Sequence, residues 1–223
     1  MSQSDPLRDG ISAVELIASM GDDLTVVNAA RVSMAKHHTV LDEEKDSRLI
    51  RYLAKHNHWT PFSHVMVTMR LKMPIYVARQ WFKHTVGFTR NEVSRRYVDD
   101  SPEFHTPREL RERAAHVKQG SSDAPIPDND HMVVAMREGA SAAHALYYQL
   151  LGARVAPEVA RTVLPQSMYT EFYETASLVG YSRLCKLRLD AHAQMEIRQY
   201  AQSVHKAVRE IAPRSWKELM SDE

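Results

Sequence analysis

His64-Val-Met-Val-Thr-Met-Arg-Leu-Lys72 decides the fold class. Val65, Val67, Met69 and Leu71 alternate with His64, Thr68, Arg70 and Lys72, the period of a strand with one face buried and one wet. Met66 breaks the alternation. Pro74 then suits the first turn of a helix, predicted to run to about Lys83.

Outward from that stretch, residues 13–19 read as a strand that stops at Met20-Gly21-Asp22-Asp23. Leu24 to Ser33 reads as a short helix. Asp42 to His56 reads as another, with acids at its start and Leu49, Ile50 and Leu53 on one face. On the other side, Met132 to Leu151 carries Met136, Ala140, Ala143, Tyr147, Leu150 and Leu151 at helical spacing. Pro157 to Val163 is a short helix stopped by Pro165, and aromatic-rich Tyr169 to Ala176 suits a strand. A last helix follows Asp190, read as its N-cap, with Ala193, Ile197, Tyr200, Ala201, Val204, Val208 and Ile211 on one face. The fold class expected is α+β: a small, mostly antiparallel sheet with packed helices, one domain over residues 1–223. Gln119 to Asp130, polar and rich in turn formers, is expected to be an exposed loop within that domain; a domain linker is the alternative.

Composition narrows the function. Of 223 residues, 43% are hydrophobic and 26% charged, as in ordinary globular proteins. No apolar run approaches the roughly 18 residues of a membrane span. The start lacks the basic and apolar regions of a secretory signal. With 29 Lys and Arg against 28 Asp and Glu, a globally basic nucleic-acid coat is not expected. The single cysteine, Cys185, excludes an internal disulfide and any multi-cysteine metal site. Seven scattered glycines form neither a Rossmann nor a P-loop turn.

The densest polar segment runs from Arg79 to Tyr97. It carries Arg79, Lys83, Arg90, Arg95, Arg96 and His84 against one acid, Glu92. Arginine forks and the Ser94 hydroxyl suit a phosphate, and Trp81, Phe82, Phe88 and Tyr97 offer flat walls for a ring. On composition alone, a solvated basic loop or a patch on RNA phosphates outweighs that reading. A second cluster spans Lys186 to Gln194, where Arg188 sits between leucines and calls for an anion, a polar ligand or a paired carboxylate. Three shorter segments, Ala29–Ser33, His58–His64 and Ala160–Pro165, are individually more often structural. His56, His58 and His64, separated by Pro61, lack the spacing of a metal site, and none is expected. Cys185 lacks the surroundings of a nucleophile and is read as a buried structural thiol.

Ala29-Ala-Arg-Val-Ser33, His58-x-Thr-Pro-Phe-x-His64, Ala78-Arg-Gln-Trp-Phe82, Asn91-Glu-x-Ser-x-Arg-Tyr97, Ala160-Arg-x-Val-Leu-Pro165 and Leu187-Arg-x-Asp-Ala-His-Ala-Gln194 together resemble the flavin-dependent thymidylate synthase family. The resemblance covers nearly the whole chain, about residues 11 to 218. It implies that family's fold, a cytoplasmic homotetramer (in the host cytoplasm if the source is viral) and flavin sites where subunits meet. The implied reaction converts dUMP to dTMP, with methylenetetrahydrofolate as carbon donor, FAD as cofactor and NADPH as reductant. No cysteine nucleophile, membrane or nucleic acid is involved.

Carried onto this sequence, Gln80, Glu92, Ser94, Arg95 and Arg96 match dUMP-binding positions. Arg161 and Arg188 match the arginines that reach the pyrimidine, and Arg188 is the catalytic candidate. Thr60, Lys83, His84, Thr85, Glu92, Arg183 and His192 match FAD-side positions, with Ser33 weaker. The family signature is Arg-His-Arg, seven residues, then Ser. Here it is Lys83-His84-Thr85, eight residues, then Ser94. Lysine keeps the charge without the fork, and threonine loses both. Arg90 lies near the gap as a possible substitute cation. Ser177 and Val179 stand where the family often has Asn and Arg. Two other readings stay open: a same-fold flavoprotein with altered or lost synthase activity, and a nucleic-acid-binding module using residues 79–96.

Overall fold

The computed structural model describes residues 3–98, 100–113 and 121–221. The strands are β1 (Gln3–Ser4), β2 (Ala13–Met20), β3 (Met66–Pro74), β4 (Phe88–Glu92), β5 (Arg111–Arg113), β6 (Ser121–Pro125) and β7 (Tyr169–Ser177). The helices are α1 (Asp23–Arg31), α2 (Glu43–Lys55), α3 (Ile75–Trp81), α4 (Asn129–Gly152), α5 (Pro157–Ala160), α6 (Leu178–Arg188), α7 (Met195–Ile211) and α8 (Pro213–Met220). Five strands form one antiparallel sheet in the order β1-β2-β3-β7-β4, and β5 pairs with β6 apart from it. The α+β reading holds.

The alternation in β3 sets the two faces. Val67, Met69, Leu71 and Met73 are fully buried. Opposite them on β7 stand Ala176, Glu174, Phe172 and Thr170. Burying each large apolar side chain is worth about 1.5–3 kcal/mol. A slip of one residue would turn the whole set into water, so the register is strongly fixed. Helices α3, α6 and α7 cover this face, adding Trp81, Tyr181, Leu184, Ile197, Tyr200, Ala201 and Val204 to the core. The other face carries Arg70, paired with Glu171 at 2.6 Å and Glu15 at 3.4 Å, and the Thr68–Thr175 hydroxyl contact at 2.9 Å.

Several boundaries differ from the sequence expectation. Pro74 is the N-cap of α3, and the helix ends at Trp81 rather than Lys83. The chain then turns through Thr85 to Phe88, closed by the Phe88 amide on the Thr85 carbonyl at 3.2 Å. Gly87 takes φ +77° there, a conformation glycine adopts without strain. That turn starts β4, an edge strand whose polar sequence carries no alternation signal. Helix α7 begins at Met195 with Gln194 as N-cap, not at Asp190. Asp190 instead accepts from the His192 amide at 2.7 Å, and its carbonyl from Ala193 at 3.0 Å, closing a tight turn. The expected loop 119–130 contains β6 and the first residues of α4; residues 119 and 120 lie outside the described ones.

The long α4 departs most. Of its expected stripe only Tyr147 is buried, joined by Val133. Met132, Val134, Met136, Leu146 and Tyr148 are each more than 40% exposed.

Candidate active site

The C-terminal ends of α3 and α6 meet. Arg188, the last residue of α6, donates from Nε to His84 Nε2 at 2.9 Å and from Nη2 to the Gln80 carbonyl at 3.2 Å. Its charge suits the negative end of that helix. Among the described residues nothing accepts from Nη1, so both its hydrogens remain for a ligand. Burial lowers its pKa, but a guanidinium stays a cation. The desolvation does not come from both leucines, as the sequence suggested, because Leu187 is 56% exposed.

His84 must be neutral to accept this bond. Burial, then the charges of Arg188 and Arg90, lower its pKa to about 4. Between the ordinary 6.5 and that value, the unfolded chain binds a proton that the folded chain refuses. Stability from this group is therefore lost as pH falls through that window. His84→Gln, which keeps an acceptor but cannot titrate, should lose less stability than wild type between about pH 7 and pH 5. Denaturant midpoints at the two pH values test this; equal losses would remove His84 from the account.

Arg90 does not stand in the open gap as a replacement guanidinium. It faces Glu174 across the β4–β7 ladder and turns inward. Its Nε donates to Glu174 Oε2 at 2.5 Å, and its Nη1 to the His84 carbonyl at 2.6 Å. The guanidinium lies over the Phe82 and Phe88 rings, 5.3 and 4.7 Å from their centroids. Glu174 is fully buried and also accepts from Trp81 Nε1 at 3.1 Å. Burial pushes its carboxyl upward, opposed by Arg90. The residues behind the altered signature are thus tied from below.

The remaining candidates fall into separate groups. Ser94, Arg95 and Arg96 follow β4. The Ser94 hydroxyl accepts from the Arg96 amide at 3.4 Å, and Arg95 Nη1 donates to the Asp100 carbonyl at 2.5 Å. Glu92 accepts from Thr170 at 2.6 Å and, with Arg95, lines a cleft of about 570 Å³ on the polar face of the sheet. Thr60 and Ser33 line a cleft of about 370 Å³ with Trp59. A neighbouring cleft of about 590 Å³ holds Arg183 with Arg51, Lys55, His56 and Lys186. Arg183 lies 5.9 Å above the Trp59 ring and joins the two. Val179, in the second cleft, offers no polar side chain. Lys83 and Thr85 are exposed on the turn, and Arg161 is exposed beyond α5. His192 is exposed against Asp190 at 3.0 Å. Among the described residues, no side-chain hydrogen bond joins the Gln80–His84–Arg188 group to the Ser94 or Thr60 group.

Sequence reasoning missed three partners. Glu174 shares a strand face with Phe172 and Ala176, so period-two reading marks it as a buried carboxylate in need of a cation. Gln194 and Glu196 are the other two, since Gln194 Oε1 accepts from Gln80 Nε2 and Gln194 Nε2 donates to Glu196 at 2.8 Å. Cys185 is buried, and burial pushes its thiol far up.

The family profile described as thymidylate synthase complementing protein matches residues 15–214. The flavin-dependent thymidylate synthase of Thermosipho africanus is 39% identical over 201 residues, covering 90% of this chain and 87% of that one. The enzyme of that name from Thermotoga neapolitana is 40% identical over 200 residues, with 90% and 87% covered. A crystal structure of the UMP/dUMP methylase PolB from Streptomyces cacaoi, bound with 5-Br dUMP, superposes with a TM-score of 0.83 at 30% identity, over 93% of this chain and 94% of that one. Sequence and fold agree over the same nine-tenths of the chain, and it belongs to the flavin-dependent thymidylate synthases, a family of methyltransferase enzymes.

Proposed function

We propose that this enzyme converts dUMP to dTMP, taking the carbon from methylenetetrahydrofolate and the reducing equivalents from NADPH through FAD. The observation that carries the reading is Arg188, a half-buried cation fixed by His84 and Gln80 with N–H groups still free. A fixed guanidinium stabilises negative charge on the N3–C4 edge of uracil, which makes C5 more nucleophilic. Ser94, Arg95 and Arg96 hold the phosphate and sugar side with Glu92 and Gln80, and Arg161 reaches the pyrimidine with Arg188. Cys185 cannot attack the uracil, since its thiol is buried and held protonated.

The residues present fit FAD. The Trp59 ring suits a flat partner, the Thr60 hydroxyl offers a donor and the Ser33 oxygen, which donates to the Ala30 carbonyl at 3.1 Å, an acceptor, and Lys55, Arg183 and Lys186 supply charge for a diphosphate. Lys83, His84, Thr85, Glu92 and His192 complete the cofactor side. FAD, when bound, supplies the hydride. The groups lie apart within one chain and α4 leaves Met132, Met136 and Leu146 exposed along one side, so the site is completed in a homotetramer.

In the absence of oxygen, flavin-loaded protein reduced with NADPH should be re-oxidised only when dUMP and the folate are both present, and the protein should scatter light as a tetramer. Oxidation indifferent to dUMP, or a 25.5 kDa monomer binding FAD stoichiometrically, contradicts the reading. A second reading, methylation of UMP as well, is favoured by the likeness to the UMP/dUMP methylase. Competition between UMP and dUMP separates the two.

A further inference from the structure

Gln80 belongs to a hydrogen-bonded chain with a defined direction. Arg111 Nη2 donates to both oxygens of Glu196, at 2.9 and 3.1 Å. Glu196 lies in the first turn of α7 and is buried. Burial works against its charge, but the Gln194 amide, the backbone and Arg111 hold its carboxyl below the usual range. An ionised carboxylate only accepts. Gln194 must therefore turn its NH₂ to Glu196, as it does at 2.8 Å, and so directs its Oε1 at Gln80. Gln80 must answer with its own NH₂. The Gln80 Oε1 is left on the opposite side of the amide, with no partner among the described residues. The direction follows from the charge of Glu196, not from how either amide was assigned.

We propose that Arg111, Glu196 and Gln194 set the orientation of the Gln80 amide, so that Gln80 meets the nucleotide with a carbonyl oxygen and selects a ligand atom that carries a hydrogen. On a pyrimidine nucleotide that atom is the imide N3–H or a sugar hydroxyl. Gln194 is a positioning residue and Gln80 the residue that reads the ligand. The inference rests on the reading of dUMP as substrate.

The test is equilibrium binding of dUMP, N3-methyl-dUMP and 2′,3′-dideoxy-UMP to the flavin-loaded full chain. Wild type should bind one analogue about tenfold more weakly than dUMP, the loss expected when an acceptor covered by the bound nucleotide goes unpaired. The weaker analogue identifies the donor. In Gln194→Met the Gln80 amide is free to flip, and that discrimination should shrink to about threefold or less. Gln80→Met, on the half-exposed end of α3, should erase it as well and serves if the Gln194 variant does not fold. An unchanged unfolding midpoint separates reorientation from damage. Full discrimination in either variant, or none in wild type that binds dUMP, overturns the inference alone. No binding of dUMP by wild type overturns the substrate reading and this inference with it.

Discussion

Arg188→Ala should make dTMP roughly 10²–10³-fold more slowly than wild type under saturating dUMP, while keeping its flavin absorbance and the stoichiometric reduction of its bound flavin by NADPH. Two anchors fix the guanidinium, the neutral His84 ring at 2.9 Å and the Gln80 carbonyl at 3.2 Å. Neither anchor is a carboxylate, so the positive charge is oriented without being neutralised and remains available to charge developing on the pyrimidine. Partial desolvation strengthens that interaction relative to water. Arg188→Lys should recover little, because an ammonium is a point charge that cannot hold both anchors and still face the ring. Ser94→Ala, by contrast, should mainly weaken dUMP binding, since its hydroxyl is assigned only to the phosphate. The measurement is single-turnover dTMP formation alongside flavin absorbance. Normal dTMP formation by Arg188→Ala would assign the residue a different job.

What was legible in the sequence was whatever a local period reports. The β3 alternation and the α7 stripe each bury the side chains their spacing indicates, because each packs on one continuous core. The α4 stripe obeys the same period but is covered only in part, with Tyr147 buried, Ala140, Ala143, Leu150 and Leu151 half-buried and Met136 exposed, because a period says that a face is apolar and not which surface covers it. Strand β4 went unread because an edge strand is held by ladder bonds to one neighbour and needs no apolar alternation. The start of α7 was misplaced because Asp190 forms an N-cap-like turn of its own before Gln194 takes the cap. At the site, the arginines announced themselves by charge, whereas their partners did not. Gln80 meets Gln194 across 114 residues and Arg90 meets Glu174 across 84. No local rule specifies such pairs.

Arg90→Met should destabilise the protein by about 3–5 kcal/mol, the range for removing one partner of a buried ion pair. Glu174 would keep only neutral donors, Trp81 and Tyr181, in a fully buried position. The His84 carbonyl would lose its 2.6 Å donor in the same step, loosening the turn that presents Lys83, His84 and Thr85. The pH dependence gives the mechanism a signature. Burial already raises the Glu174 carboxyl above its ordinary 4.5 in the folded protein, so the folded state binds this proton more readily than the unfolded one. Stability from this group therefore rises as pH falls, and removal of Arg90 raises the carboxyl further. The penalty in Arg90→Met should be largest at neutral pH and shrink toward the acid range. Arg90→Met combined with Glu174→Leu should recover most of the loss, because an apolar pair leaves no orphaned charge beside Phe82, Phe88 and Trp81. Denaturant unfolding of the two single variants and the double variant, at neutral and mildly acid pH, closes the cycle. A loss below about 1 kcal/mol in Arg90→Met, or a double variant no better than the single, would show that the pair behaves as a surface ion pair does, and that the altered signature is held in place by something other than Arg90.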